Sequence, residues 1–346
     1  MNPPQFPRPW RWVPLVGVVL FGLSGAGLGI RADPVVLYET GFEPFEGFSP
    51  DEDLMGQGNW IGYATDLEGK PALAGGNGVL AEPVAGFAGQ YAYIGFDAPE
   101  KTADFNVWRP VNLKPSGQPL PLVRFEVSFQ INDSTTGAPY FDDFRWSIYN
   151  TADHRFLSLD FDNESQGVNF ILDNPRGQEP PPIVPTGFTF DHGQPYDLEI
   201  DLNFQRNLWT ARINGLVVVN AQPITSVTAA LTLGDVDAVW VIRTPGLPGD
   251  NFMIFDDYRI SLLSLDSIPP TLEPVGMLNT GAFVVRVLGE PGVTYVLEAT
   301  SLHASGPIVW EPVASGVAQS PGGYVDLQDS AAGTMGSRSY RAVSVR

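Results

Sequence analysis

Short runs of aromatic and β-branched residues, separated by turn residues, follow one another from Val35 to Leu263. Within these runs apolar and polar residues alternate, as in 123–129, which reads VRFEVSF. Such alternation is typical of strands that turn one face toward a core, and helical periodicity is nearly absent. The 37 glycines and 32 prolines supply the turns that many short strands need. The sequence therefore predicts an all-β protein.

One hairpin is marked clearly. Asn214 and Gly215 separate the apolar runs 208–213 and 216–219. Asn-Gly between two such runs is the strongest short-range signal for a β-hairpin, because both residues tolerate the positive φ that the tight turn requires. We therefore expect two antiparallel strands joined at this point.

The chain is predicted to form two domains. Paired prolines at Pro269 and Pro270 favour extended backbone and mark the sharpest break in the pattern. Further strand signals follow this break, at 282–288, 294–300, 309–313, 324–327 and 339–345. The predicted organisation is a large domain over 33–265, a linker over 266–270 and a small β-sandwich over 271–346.

The N-terminal segment 1–32 has the order of a secretory signal peptide. Arg8 and Arg11 precede an apolar run over 13–30, and Ala32 provides a small residue at the expected cleavage site. Glycines at positions 22, 25, 27 and 29 interrupt the run, so it predicts cleavage rather than a permanent span; the segment 24–26 offers an alternative cleavage site. We expect a secreted or extracytoplasmic mature chain with no membrane span.

Composition excludes several classes of protein. The formal net charge is −20, and a field of that sign repels nucleic acids and anionic membranes. The chain has no cysteine, so neither disulfides nor a thiol nucleophile is available. Stability must come from packing, with bound metal as a possible addition.

Several segments resemble known secreted proteins. The segments 38–43 (YETGFE), 54–60 (LMGQGNW) and 255–260 (FDDYRI) resemble secreted bacterial proteins with a concanavalin A-like or laminin-G-like jelly-roll domain. The later segments 295–300 (YVLEAT) and 310–313 (WEPV) resemble small immunoglobulin-like or fibronectin-type modules. The resemblance implies a jelly-roll sandwich followed by a small β-sandwich, and it speaks to architecture more than to activity.

Jelly-roll modules of this kind often hold a structural Ca²⁺ between an early Gly-Phe-Glu segment and an aspartate on the last strand. The matching residues here are Glu43, Asp256 and Asp257. Calcium takes six to eight oxygen ligands from carboxylates and carbonyl groups, and it would join the two ends of the domain. Ordinary exposed carboxylates are the alternative interpretation of the same residues.

One segment resembles a catalytic signature. Glu199 and Asp201 resemble the start of the Glu-x-Asp-x-(x)-Glu signature of laminarinase-type glycoside hydrolases, but Asn203 and Phe204 stand where the acid/base carboxylate would follow. Retaining hydrolysis needs two carboxyl groups about 5 Å apart. We therefore interpret Glu199 and Asp201 as the solvent face of an amphipathic strand. The three histidines are scattered and form no zinc-protease motif.

Sugar binding would require exposed aromatic rings beside polar side chains. Candidate rings are Trp60, Tyr63, Trp108, Tyr140 and Trp146. Most aromatic residues of a sandwich belong to its core, and we select Trp60 together with Tyr140 and its neighbours Asp142 and Asp143 as the ligand-binding set. The predicted function is non-catalytic binding of polysaccharide or cell-surface glycan. A glycoside hydrolase, a polysaccharide lyase and a structural envelope or matrix component remain the alternatives.

Overall fold

The computed structural model describes residues 34–50, 52–66, 76–96, 102–114, 122–133, 140–173, 182–244, 247–264, 269–301, 308–320, 322–334 and 337–345. The chain divides into two compact units, one formed by Gly29–Ile268 and the other containing Pro269–Arg346. The predicted signal peptide (1–32) and most of the predicted linker (266–270) lie outside the described residues. Along the described ranges, no helix is long and apolar enough to cross a membrane.

The larger unit consists of strands and one short 3₁₀ helix, Pro44–Glu46, in its described part. Its strands are β1 (Val35–Thr40), β2 (Ile61–Asp66), β3 (Asn77–Leu80), β4 (Tyr91–Gly95), β5 (Thr102–Trp108), β6 (Leu122–Asn132), β7 (Asp143–Tyr149), β8 (Arg155–Asp162), β9 (Gly167–Leu172), β10 (Ile183–Thr189), β11 (Pro195–Asn203), β12 (Leu208–Ile213), β13 (Leu216–Pro223), β14 (Asp235–Val241) and β15 (Phe252–Leu263). This strand content confirms the predicted all-β class.

These strands form two antiparallel sheets. The first sheet has eight strands in the order β13-β12-β11-β6-β15-β4-β3, and β1 also pairs with β15. The second sheet has seven strands in the order β10-β9-β8-β7-β14-β5-β2. Several consecutive strands lie in different sheets, among them β4 and β5, β6 and β7, and β13 and β14, so their connections cross from one sheet to the other. The result is the predicted jelly-roll sandwich.

Alternation along each strand decides which side chains enter the core. On β6, Phe125 and Phe129 are fully buried between the sheets, whereas Arg124, Glu126 and Ser128 lie on the outer face. The core is rich in aromatic rings that meet edge to face, among them Phe125 with Tyr258 and Phe255 with Trp146. Burial of large aromatic side chains dominates the energetics of such a core, which has no disulfide to support it.

The predicted hairpin joins β12 and β13. Asn214 has a φ of 50° and Gly215 a φ of 77°, so both turn residues occupy the left-handed region that a two-residue hairpin needs. Ile213 pairs with Leu216 across the turn. The amide oxygen of Asn214 also accepts a 2.8 Å hydrogen bond from the Asp197 backbone on β11, which ties the turn to the neighbouring strand.

The smaller unit contains two three-stranded antiparallel sheets. Its strands are β16 (Thr271–Met277), β17 (Phe283–Leu288), β18 (Thr294–Ser301), β19 (Glu311–Val317), β20 (Tyr324–Asp329) and β21 (Arg338–Val345), ordered β16-β17-β20 and β19-β18-β21. A second short 3₁₀ helix covers Ala332–Thr334. Val285 from one sheet and Leu297 from the other are completely buried in one core. Buried Asp329 accepts hydrogen bonds from Arg338 and Tyr340, so its charge is compensated.

Candidate functional site

A row of charged side chains crosses the outer face of the eight-stranded sheet. The register places these residues directly opposite one another on the neighbouring strands β1, β15, β6, β11 and β12. In that order they are Glu39, Arg259, Glu126, Glu199 and Arg212, and we call them the charged row. Directly opposed residues in an antiparallel pair have Cβ atoms about 4.5–5.5 Å apart, so each side chain of the row is within reach of the next.

A cavity of about 680 Å³ opens over the charged row, and all five of its residues line that cavity. Ligand pockets in proteins commonly have volumes of about 300–1,000 Å³. The lining carries six carboxylates, from Glu39, Glu46, Glu126, Asp197, Glu199 and Asp257, against the two guanidinium groups of Arg212 and Arg259. The cavity is therefore polar and predominantly negative.

Two arginines hold the acidic pair on β11. Arg212 Nη1 lies 2.5 Å from Glu199 Oε1 and 2.6 Å from Asp201 Oδ2, while Arg124 contacts Glu199 Oε2 and Asp201 Oδ1 at 2.8 Å each. Asp201 is almost fully buried, and its charge is compensated by these contacts. Burial and the neighbouring Asp201 raise the pKa of Glu199 above its usual value, while Arg124 and Arg212 act in the opposite direction. Glu199 is thus a positioned acceptor with both oxygens engaged.

Glu126 lies in the middle of the row, opposite Glu199 on one side and Arg259 on the other. Within the described part of the chain its carboxylate makes no hydrogen bond and no ion pair within 4 Å, and its interaction with Arg124 is a longer-range attraction. Two carboxylates placed directly opposite one another repel. This arrangement costs stability, and it leaves a half-exposed carboxylate directed into the cavity.

Phe45 forms part of the cavity wall and is 87 % exposed. It belongs to the short 3₁₀ helix, which is fixed by Glu46. One carboxylate oxygen of Glu46 accepts hydrogen bonds from the hydroxyl of Thr40 and the backbone amides of Gly41 and Glu43, at 2.9–3.0 Å. Gly47, with a φ of 94°, ends the helix. The ring is therefore held in solvent by an ordered loop.

The residues predicted to bind calcium lie beside this loop. Gly41 separates them: a Cβ at this glycine would lie 3.5 Å from Asp256 Oδ1 and 3.8 Å from Glu43 Cγ. Burial raises the pKa of Asp256 to about 7, and the negative charges of Asp257 and Glu43 add to this effect. Asp257 occupies a bulge in β15 with a φ of 52°. Among the described residues, no group of three or more His, Asp or Glu is arranged to hold a metal ion.

Trp60 does not contact the cavity. It is completely buried against Phe42 and Tyr258, and its indole N–H donates to the hydroxyl of Tyr38 at 3.1 Å. A ring without exposed surface cannot stack on a sugar. The prediction that Trp60 contacts a ligand is therefore corrected: it is a core residue, and the fully buried Trp146 is another.

The aspartates selected near Tyr140 have structural partners. Asp142 is fully buried and accepts hydrogen bonds from the indole of Trp240 and the backbone amides of Arg243 and Gly249, at 2.8–3.1 Å. Asp143 receives a two-oxygen contact from the Arg243 guanidinium at 3.0 and 3.1 Å. These bonds replace the ligand contacts predicted for both residues. Burial raises the pKa of Asp143 to about 6 despite its ion pair.

Tyr140 is 37 % exposed and does not line the cavity. The loop residues 134–139 that precede it lie outside the described residues, so its binding role stays a prediction. The structure does not bring Tyr140 to the charged row.

Sequence reasoning missed the two features that define the cavity. Phe45 stands between Pro44 and Glu46 in a turn, and no local pattern distinguishes it from the buried Trp60, which also follows turn residues. Glu126 belongs to an alternating strand, which indicates an outward side chain. Its position opposite Glu199 depends on the register between strands that are about 70 residues apart, and no local pattern encodes that register.

No protein-family model matches the chain, and no curated protein is similar to it in sequence. Solved structures of low identity share parts of its topology. One is the CBM2 module of the evolved Dit protein of Lactobacillus casei BL23 phage J-1, with 12% identity and a TM-score of 0.43, covering 68% of this chain and 98% of that one.

Two enzymes show similar values. Alginate lyase A1-II′, of polysaccharide lyase family 7, has 10% identity and a TM-score of 0.40, and the match covers 60% of this chain and 95% of that one. A sialidase has 12% identity and a TM-score of 0.38; the match covers 62% of this chain but spans only 18% of the sialidase. The jelly-roll fold of the present protein follows from its own strand order and core.

Proposed function

We propose that this protein binds carbohydrate chains in the cavity over the charged row. The observation that carries the proposal is the combination, in one cavity, of an exposed aromatic ring with a row of charged acceptors and donors. A pyranose ring has an apolar C–H face, which packs on an aromatic ring, and hydroxyl groups, which hydrogen-bond to carboxylates and guanidinium groups. Phe45 and the charged row supply both kinds of partner.

Binding without cleavage is favoured by the state of Glu199. Both of its oxygens are engaged by arginines at 2.5–2.8 Å. A general acid must deliver a proton to the leaving oxygen, and both carboxylate oxygens of Glu199 are already held by arginine side chains. Glu199 therefore serves as a fixed hydrogen-bond acceptor in the proposed complex.

A second candidate function is hydrolysis of a glycosidic bond. The observation in its favour is the position of Glu126 directly opposite Glu199. Retaining hydrolysis requires a pair of carboxyl groups in one site, about 5 Å apart in the reacting complex. In that reaction Glu126 would act as the acid/base and Glu199 as the nucleophile.

The proposal is tested by titration calorimetry with neutral and charged oligosaccharides. We expect Phe45→Ala to weaken binding about tenfold, because removal of one aromatic contact costs on the order of 1 kcal/mol or more. The matched control is Phe96→Ala, since Phe96 is 59 % exposed and lies outside the cavity lining. Equal affinity of Phe45→Ala and the unaltered chain for every oligosaccharide would contradict the proposed site.

The same ligands separate binding from hydrolysis. We expect no new reducing ends after a day of incubation. Release of reducing ends that disappears in both Glu126→Gln and Glu199→Gln would establish the second candidate function in place of the first. If no glycan binds, the alternative that remains is a structural component of the envelope or matrix.

Two earlier predictions accompany the proposal. Export after cleavage near Ala32 predicts a mature N-terminus near Asp33, which sequencing of secreted material would detect. Calcium binding at Glu43, Asp256 and Asp257 predicts a lower Tm after addition of a chelator; a ligand present at a hundredfold excess over its Kd stabilises the folded state by about 2.7 kcal/mol. An unchanged Tm would count against the metal.

A further inference from the structure

The arginines of the cavity are already matched by acids of the same cavity. Arg212 contacts Glu199 and Asp201, and Arg259 lies 3.7 Å from Glu39. With six carboxylates and two guanidinium groups in its lining, the cavity has a net negative charge. The two positive groups therefore do not make the cavity a site for acidic sugars.

The other acidic residues of the cavity lining differ in whether their carboxylates already have partners within the protein. Glu46 is used by three hydrogen bonds in its own loop, and Asp197 accepts a 2.8 Å hydrogen bond from Ser128. Glu126 and Asp257, by contrast, have no ion pair within 4 Å in the described part of the chain. One lies on the floor of the cavity and the other in the β15 bulge on its wall. The cavity thus presents two carboxylates whose charge is not compensated by a close cation.

Charge of one sign in a concave site selects ligands in two ways. It attracts cations more strongly than a flat surface does, because the protein walls limit screening by water. It also repels anions, and like charges brought together on binding are costly. Because the whole chain carries a formal charge of −20, the long-range field acts in the same direction as the cavity.

We infer that the cavity selects glycans whose sugars carry protonated amino groups, in preference to neutral glycans and against uronic-acid polymers. This inference rests on the proposed function and assigns its ligand class. The apolar face of an amino sugar packs on Phe45, while its ammonium group lies between Glu126 and Asp257. An N-acetylated sugar of the same shape offers the stacking face without the charge.

The test compares oligomers that differ only in charge. Glucosamine hexamer, N-acetylglucosamine hexamer and a galacturonate hexamer are titrated at about pH 6, where most amino groups of the glucosamine oligomer carry a proton. We expect about tenfold tighter binding of the glucosamine oligomer than of the acetylated one at low salt, and no binding of the uronate. The ratio should fall toward one when ionic strength is raised to about 0.5 M.

Glu126→Gln keeps the size of the side chain and removes its charge. We expect this variant to reduce the preference for the glucosamine oligomer about threefold and to change the affinity for the acetylated oligomer by less, because the amide keeps an oxygen that accepts hydrogen bonds from sugar hydroxyls. The matched control is Glu82→Gln, an exposed glutamate of the same unit that does not line the cavity. Thermal unfolding of both variants verifies that they fold.

The outcomes separate this inference from the proposed function. If the acetylated oligomer binds as tightly as the glucosamine oligomer, or if the uronate binds more tightly than either, the selectivity is overturned while carbohydrate binding stands. If no neutral or charged oligomer binds, the proposed function itself fails. Binding of several glucosamine oligomers per chain, unaffected by Glu126→Gln and Phe45→Ala, would be general attraction to an acidic surface and would also overturn the inference.

Discussion

Two pairs of acidic residues lie on the outer faces of the two sheets of the larger unit, and their neighbouring side chains differ. Glu199 and Asp201 are two residues apart on β11 and lie on the outer face of the first sheet. Asp235 and Asp237 are two residues apart on β14, where the core side is formed by buried Val236, Ala238 and Trp240, so they lie on the outer face of the second sheet.

The difference is in their cross-strand neighbours. Glu199 and Asp201 are flanked by Arg124 and Arg212. Asp237 is opposite Ser147 and receives a 3.2 Å hydrogen bond from the Asn106 amide; burial raises its pKa well above the usual value, and the negative charge of Asp235 adds to this effect.

Burial also raises the pKa of Asp235 to about 6, and Asp153 adds to this effect. The comparison teaches that the residue placed one strand away decides how a buried acid is compensated. Arg124 and Arg212 counteract the effect of burial on the pKa of Glu199, whereas no cation is among the causes that act on Asp235 and Asp237.

The largest effect on stability is expected when one of the two arginines that pair with Asp201 is removed. Arg124→Met leaves the nearly buried Asp201 with Arg212 as its remaining cation. Removing one partner of a buried ion pair costs about 3–5 kcal/mol, because the other charge stays buried. We expect the free energy of unfolding to fall by about 3 kcal/mol, measured by urea denaturation with an unchanged m value. A loss below about 1 kcal/mol would show that Arg212 suffices.

For Asp235 and Asp237 we expect the free energy of unfolding to depend on pH, because burial raises the pKa of both carboxyl groups. Between about pH 4 and pH 6 folded Asp235 holds a proton that the unfolded chain has lost, so the free energy of unfolding decreases as pH rises through this range. For this group alone the decrease amounts to about 2–3 kcal/mol. Urea denaturation at several pH values measures it.

Asp237→Asn sharpens the assignment of this effect. The variant keeps the acceptor for Asn106 and removes the Asp237 carboxyl, whose own pKa is raised well above its usual value by burial, so the contribution of Asp237 to the fall of stability is lost. We expect a shallower fall of stability with pH than in the unaltered chain. An identical pH profile would place the protons elsewhere, for example on Asp143, whose pKa is also raised to about 6.

The smallest effect is expected for an exposed pair of the same row. Arg259 and Glu39 are 3.7 Å apart, with 42 % and 63 % of their side chains exposed. Exposed ion pairs contribute about 0.2–1 kcal/mol. Arg259→Met should lower the free energy of unfolding by no more than about 0.5 kcal/mol. A loss close to that of Arg124→Met would contradict the expected difference between buried and exposed ion pairs of the first sheet.

The sequence predicted the elements whose signals are local. Alternation in 123–129 identified β6 and the outward direction of Arg124 and Glu126, and Asn214-Gly215 identified the β12–β13 turn. These predictions succeed because strand faces and tight turns depend on neighbouring residues only.

The binding residues could not be derived in the same way. Trp60 and Phe45 both follow turn residues and are both aromatic, yet one is in the core and the other in solvent. Asp142 is polar and fully buried, because three donors from distant segments converge on it. Exposure of a loop residue and the pairing of Glu126 with Glu199 are properties of the assembled sheets.

The pairing of β1 with β15 has a mechanical consequence. Val35, at the start of β1, lies opposite Leu262, near the end of β15. A force that pulls these two points apart acts on one end of an antiparallel pair and opens its hydrogen bonds one after another, like a zip, rather than loading them together in shear. We therefore expect the larger unit to begin unfolding at low force at the β1–β15 pair, with β1 separating from β15 while β6 remains paired with β15.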